Sequence, residues 1–412
     1  MQRVVLECRD MSVPEIGAAI FKFYNGLDDG GSFDVVLGAY SPGLRMWLIE
    51  GGAKHEAAQQ DDGAWLLTIT RGLSPGQGTI PGLHHVTTAP SGKVWTCERA
   101  QRLVCIDGAS GEVLKTGTIA TKASHLAIAA DEKWVFVADP GANTLVAVDA
   151  NDMSVKHKWS APGGPQLPLV TDDGIVCVTG AGSGTLTIVR PKGDDFDEQT
   201  IEVGSCPHDP VTSQDGKYIF VPCAGDGLVV KVRLTDGEII GRYVAGDGAA
   251  HLALHPDGTR LYSANTFDGT VSCLSVEGDM LAQAQSGHWA HQPEITPDGR
   301  FVYVANFLDD TLGVFDADSL EKKAQLPTEV YPHGLDVSPD GTRVIATGFG
   351  SDYVRIYDGV AHEQIARVKV GRGSSHSAFL KDSNIAYVGC SVDDHLAQID
   401  LMRDECIGNI AV

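Results

Sequence analysis

The chain has 412 residues and a formal net charge of −23, from 31 Lys and Arg against 54 Asp and Glu. So acidic a surface repels phosphate backbones and anionic lipid, which argues against nucleic acid or a membrane as partner and leaves a small-molecule substrate or a cationic partner. A hydrophobic share of 43% supplies a core, 48 Gly and 19 Pro supply turns, and no apolar run approaches the roughly 18 residues of a membrane span.

The first residues, MQRVVLECRDMSVPE, carry no basic region followed by an apolar run, so no signal peptide is visible and a cytoplasmic protein is expected. Residues 1–78 read as an N-terminal β segment. FDVVLGAY, LRMWLIEG and AWLLTITRG are its predicted strands, with IFKFYNGLDDGG as a fourth plus loop. The segment is off the period of residues 79–412, so a small β cap is expected, with a degenerate extra repeat as the alternative.

From residue 79 to 412 one turn recurs. Pro256-Asp257-Gly258, Pro297-Asp298-Gly299 and Pro339-Asp340-Gly341 are its full form, and Ser91, Asp131, Asp173, Asp215 and Asp382 hold the Asp position of weaker versions. These positions are 40 to 42 residues apart. A fixed period of that length marks a repeat architecture. Each unit reads as a short strand before the turn (HGLDVS), a β-rich strand after it (RFVYVANF, KYIFVPCAG), a Gly/Asp hairpin and two further strands. Four antiparallel strands per unit describe a propeller blade. The apolar residues alternate at period 2, which rules out a helical solenoid. The reading is an all-β protein, a β-propeller of eight four-stranded blades. Nine cysteines with no CxxC lie mostly in apolar strands (LVCID, IVCVTG, VSCLS) and read as reduced core residues.

FVYVANFLDDTLGVFDADS and PHGLDVSPDGTRV resemble the YVTN-type repeats of lactonase-like and cytochrome-d1-like propellers, over about four-fifths of the chain. The resemblance is specific for fold and weak for function, since propellers host many chemistries.

Aligned on the turn, the repeats share a second feature. Seven residues before the Asp position lie His84, Gln166, His208, His291 and His333; six before it lie His85, His125, His251 and His376. Composition alone would put about half a histidine in these sixteen slots, and they hold eight. A packing consensus copied by duplication is the competing account. Against it, the flanking residues vary (GLHHV, CPHDP, WAHQP, YPHGL, SSHSA) while the histidine persists. The first strand of a blade is innermost, so the eight histidines should crowd one mouth of the channel. Side chains alternate along a strand, so two ligand shells, one per register, are as compatible with the pattern as one.

Crowded neutral imidazoles suit Zn, Cu, Fe and Ni. The ring resembles the histidine-rich copper centres of propeller enzymes such as nitrous oxide reductase, thiocyanate dehydrogenase and methanethiol oxidase, which implies copper first and iron second. The expected function is a metal-dependent oxidoreductase acting on a small molecule, with Asp209, Glu294 or Asp336 as acid/base. Gln166, the one gap in the ring, should hydrogen-bond substrate. A divalent-metal lactonase-type hydrolase or lyase and a non-catalytic binding propeller are the alternatives. His255 is assigned to a turn, His288 and Cys206 are outlying candidates, and His55, His157, His362 and His395 are read as off-ring. GAGSGT at 180–185 lacks the lysine and the strand-to-helix setting of a phosphate loop.

Overall fold

A computed structural model describes residues 4–11, 16, 19–20, 31–40, 54–70, 83–98, 101–193 and 195–412; of Lys54 and His84 it describes the backbone alone. The chain divides into two compact units, Met1–Ile80 and Pro81–Val412.

The first unit holds a four-stranded sheet of order β1-β2-β4-β3, from β1 (Val5–Cys8), β2 (Ser32–Leu37), β3 (Lys54–Gln59) and β4 (Trp65–Thr70). β1 and β2 run parallel, which requires a crossover rather than a hairpin. Ile16, Ala19 and Ile20, between these strands, are helical. One face buries Cys8, Phe33, Val35, Leu37, Leu67 and Ile69 with Ile16 and Ile20. A blade is an antiparallel meander, so this sheet is not a degenerate blade. The predicted strand LRMWLIEG lies outside the described residues, as does IFKFYNGLDDGG apart from its ends, Ile20 and Gly31.

The second unit contains eight four-stranded antiparallel sheets, each of four consecutive strands. Blades 1 to 8 span residues 83–118, 126–160, 165–202, 211–244, 249–285, 290–327, 332–369 and 374–411. The recurrent turn explains its own sequence. Gly258, Gly299 and Gly341 all sit at φ +73°, a conformation that costs a side-chain-bearing residue steric energy. Asp257, Asp298 and Asp340 accept the backbone N–H two residues on, at 2.8, 3.0 and 3.0 Å.

The ring closes by packing, not by strand exchange. The inner strand of blade 8, Ser374–Phe379, lies against that of blade 1, Leu83–Thr88. Leu83, Val86, Val94 and Val104 share a core with Leu380, Tyr387 and Leu396, and the Tyr387 hydroxyl donates to the Gly108 carbonyl at 2.7 Å. Of the nine cysteines eight are buried and Cys406 is half-buried. Among the described residues no helix is long and apolar enough to cross a membrane.

Candidate metal centre at the histidine arc

The inner strands do not pair evenly with their neighbours. In blade 1 Leu83 faces Glu98 and His85 faces Cys97, so the backbone of residue 84 is an extra residue. Equivalent bulges fall between Pro165 and Pro168, Ala249 and His251, Ala290 and Pro293, Pro332 and Leu335, and Ser374 and Ser377. Gln166 and the ring histidines of these blades lie in or beside them. Two residues oppose one partner at a bulge, so strict alternation of faces breaks there and the strand can re-aim a side chain. This resolves the two registers of the sequence.

His85, His125, His251 and His376 come from one register, and His208, His291 and His333 from the other. All seven form one arc. Consecutive ring centroids are 4.7 Å apart for His208–His251, 4.2 Å for His251–His291, and 4.9 Å for both His291–His333 and His333–His376. The arc continues at 5.3 Å from His376 to His85 and 5.1 Å from His85 to His125. Two shells separated by register are therefore not formed. Gln166, half-buried on the blade 3 bulge, holds the remaining position between His125 and His208 in blade order. The side chain of His84 lies outside the described residues.

Buried hydroxyls fix the bulge backbones across blade boundaries. Thr179 Oγ1 in blade 3 donates to the His208 carbonyl at 3.0 Å, and Thr266 Oγ1 in blade 5 to the Ala290 carbonyl at 2.9 Å. Thr347 Oγ1 in blade 7 donates to the Ser375 carbonyl. These threonines were missed in the sequence, although each stands in or at the end of the second strand of its blade.

Asp209 is the carboxylate nearest the arc among the described residues. Its backbone N–H donates to the Ala250 carbonyl at 3.1 Å, seating it against blade 5. Its two oxygens lie 3.4 Å from His208 Nδ1 and 3.6 Å from His251 Nε2. Burial alone would raise its pKa, but the facing His208, His251 and His125 rings hold it well below the usual carboxylate range. Burial lowers His85 to about 4 and carries His251 and His376 well below the usual imidazole value, helped in the last two by neighbouring rings. These imidazoles are neutral at pH 7 and so have a lone pair to give. Nδ1 of His85 and of His251 is buried without a hydrogen-bond partner among the described residues. One atom each from His208, Asp209 and His251 all lie within 4.8 Å of one another, a two-imidazole, one-carboxylate donor set of the kind that binds zinc, iron or copper.

Glu294 and Asp336 stand three residues beyond His291 and His333 on their strands. Burial, then repulsion from Asp336, pushes Glu294 up to about 8. Burial pushes Asp336 up to about 6 against the opposing bond from Ser377, whose hydroxyl donates to it. The Gln292 amide ties the two strands together, donating to the Leu335 carbonyl at 2.8 Å and lying 3.5 Å from Glu294.

The other candidates lie elsewhere. His255 braces its turn, with Nε2 3.1 Å from the Gly299 carbonyl and 2.8 Å from Arg260. His288 is exposed and pairs with Asp309 at 2.7 Å. Cys206 is buried two residues before His208. His157 stacks on Trp159, His362 meets the Tyr303 hydroxyl and His395 the Val370 carbonyl.

Eight blades that bring seven imidazoles into one arc define a β-propeller with a candidate metal centre. The family described as "Lactonase, 7-bladed beta-propeller" matches residues 180–331 and 322–406, together more than half of the chain, and the chain belongs to that family. It carries eight blades where the description has seven. No curated protein gives a significant match. Among solved structures, Kuenenia stuttgartiensis hydrazine synthase is 19% identical with a TM-score of 0.55, over 67% of this chain and 94% of that one. Dihydro-heme d1 dehydrogenase NirN in complex with DHE is 18% identical with a TM-score of 0.59, over 71% and 67%. A Bacteroides fragilis NCTC 9343 protein described as a 6-phosphogluconolactonase is 17% identical with a TM-score of 0.55, over 74% and 99%. At these identities the likeness shows the fold alone.

Proposed function

We propose that this propeller is a metal-dependent oxidoreductase acting on a small molecule at the histidine arc. The observation that carries the reading is the convergence of seven imidazoles from seven blades, with Asp209 among them. A cluster of buried and half-buried imidazoles costs desolvation and gives back little packing, so a ligand that takes their lone pairs is the economical explanation. His208, Asp209 and His251 would hold the ion, copper first and iron second. When bound, the ion supplies a Lewis acid and a one-electron couple.

The remaining roles fall to the chain's own side chains. Ionised Asp209 offsets positive charge at the arc. Glu294, protonated at neutral pH, is placed to give a proton, and Asp336 to take one. Gln166 offers an amide to the substrate on the side without an imidazole. The net charge of −23 favours a neutral or cationic substrate over an anionic one. One similar fold carries redox chemistry in its name, a dehydrogenase.

Membership of the lactonase family supports a second reading, hydrolysis or lyase chemistry on a divalent ion held by the same three side chains. Turnover separates the two. Metal-loaded protein should oxidise or reduce a small-molecule panel only when an electron acceptor or donor is present, and should show an EPR signal or visible band. Lactone or ester cleavage by colourless, EPR-silent protein without any acceptor would establish the hydrolase. No turnover of any panel would leave a binding propeller.

A further inference from the structure

The surroundings of the arc differ from blade to blade. The residue after the second strand is Pro140, Ala181, Ala224 and Ser391 in blades 2, 3, 4 and 8, but Phe307 and Phe349 in blades 6 and 7. The Phe307 ring lies 6.1 Å from that of His291, and the Phe349 ring 5.7 Å from that of His333. The linkers that enter these two blades add Trp289 and Tyr331, each two residues before its arc histidine. Tyr331 stacks on Phe307 at 5.2 Å and 19°, and its carbonyl accepts the Phe349 N–H at 2.9 Å. Phe307, Phe349 and Trp289 are buried, whereas Tyr331 is half-buried and so open in part to solvent.

Packing between blades accounts for the three buried rings but not for where Tyr331 sits. Trp289 and Tyr331 stand at φ +61° and +56°, where blade 3 has Gly164 at +73° two residues before Gln166. A bulky side chain in this left-handed region is strained, and strain of that kind gathers at ligand-binding positions.

The charges beside these rings are of one sign. Residues 286–289, 307–310, 328–331 and 349–352 include no Lys or Arg, and His288 among them pairs with Asp309. Arg355 and Arg367, which reach this linker from the outer strands of blade 7, are both bound by Glu329. Asp310 Oδ1 accepts the Tyr331 N–H at 2.8 Å. Burial, then the Asp310 carboxylate, raise the Tyr331 hydroxyl above its ordinary pKa, so that negative charge is felt at the ring. The face of an aromatic ring attracts cations, and organic ammonium groups most usefully because they shed water easily. Rings alone would serve a neutral guest equally well; the neighbouring carboxylate selects a positive one.

We infer that Tyr331, backed by Phe307 and with Asp310 as counter-charge, forms a recognition site for the ammonium head of an organic cation beside the histidine arc. This site gives the oxidoreductase read above its substrate class and rests on that reading to that extent, while the binding itself needs no metal.

The test is calorimetric titration of chelator-stripped, full-length protein with choline and with 3,3-dimethylbutan-1-ol, its neutral isostere. Choline should bind at least about tenfold more tightly. Tyr331→Phe should keep that preference and Tyr331→Leu should lose most of it. Asp310→Asn retains an oxygen for the Tyr331 N–H but not the charge, so it should weaken choline several-fold and leave the alcohol unchanged. Circular dichroism checks that each variant is folded. Equal binding of both probes by wild type overturns the site, as does absence of choline binding or a preference that survives either Tyr331→Leu or Asp310→Asn. Copper uptake by the same protein decides the metal reading separately. Choline bound selectively by protein that takes up no copper would leave the site standing and remove the oxidoreductase.

Discussion

At the scale of single residues, the channel sorts its ionisable groups by environment. Glu294 is held up at about 8, against about 4.3 in an unfolded chain. Between these values the folded protein keeps a proton that the unfolded chain has lost, so folding stability falls as pH rises through that window. Glu294→Gln removes the contribution. Its melting temperature relative to wild type should rise from pH 5 to pH 8.5, and thermal scans showing a constant difference would contradict the assignment. Gln166 is a different case. An amide ligates late transition metals poorly, so Gln166→Ala should raise KM several-fold with metal content unchanged; loss of metal would put blade 3 in the coordination shell. Single residues were also where the sequence was most informative. The histidine slots, the Asp of each turn and the structural role of His255 all come from counting residues against one period.

At the scale of elements, the bulge decides the site. The sequence shows two histidine registers, and alternation along a regular strand would separate them. Which residues are doubled depends on pairing with the second strand, a contact that no spacing within the inner strand encodes. The closeness of Asp209 to His251 was hidden for the same reason, since it arises between blades 4 and 5. In the first unit, the parallel pairing of β1 with β2 depends on a crossover that strand-like stretches alone do not announce. The bulge account makes its own prediction. Thr179→Val deletes the hydroxyl that satisfies the His208 carbonyl while conserving shape. It should cost about 1 kcal/mol in urea denaturation and weaken metal binding by displacing His208. Unchanged affinity with lowered stability would make the threonine a structural bond only.

At the scale of the whole molecule, stability is distributed. The propeller joins its ends by face packing of blades 8 and 1, and the first unit has a core of its own around Phe33 and Leu67. A fragment of residues 81–412 should therefore fold alone and carry the full metal complement of the intact chain, by circular dichroism and elemental analysis. Failure of that fragment to fold would show that residues 1–80 complete the propeller. Eight blades were legible because the turn glycines and aspartates repeat in sequence. Closure by packing was not, because it is decided between residues as distant in the chain as Gly108 and Tyr387.

The most direct measurement of the central claim is the metal content of protein purified from copper-supplied cells, compared across three forms. His208→Ala/His251→Ala removes both imidazoles of the proposed ion site, and His255→Ala removes one that only braces a turn. The account predicts folded protein in every case, at least one ion fewer in the double variant and no change in the control. Metal content equal in wild type, double variant and control would contradict it, and the histidines of the arc would then be packing residues.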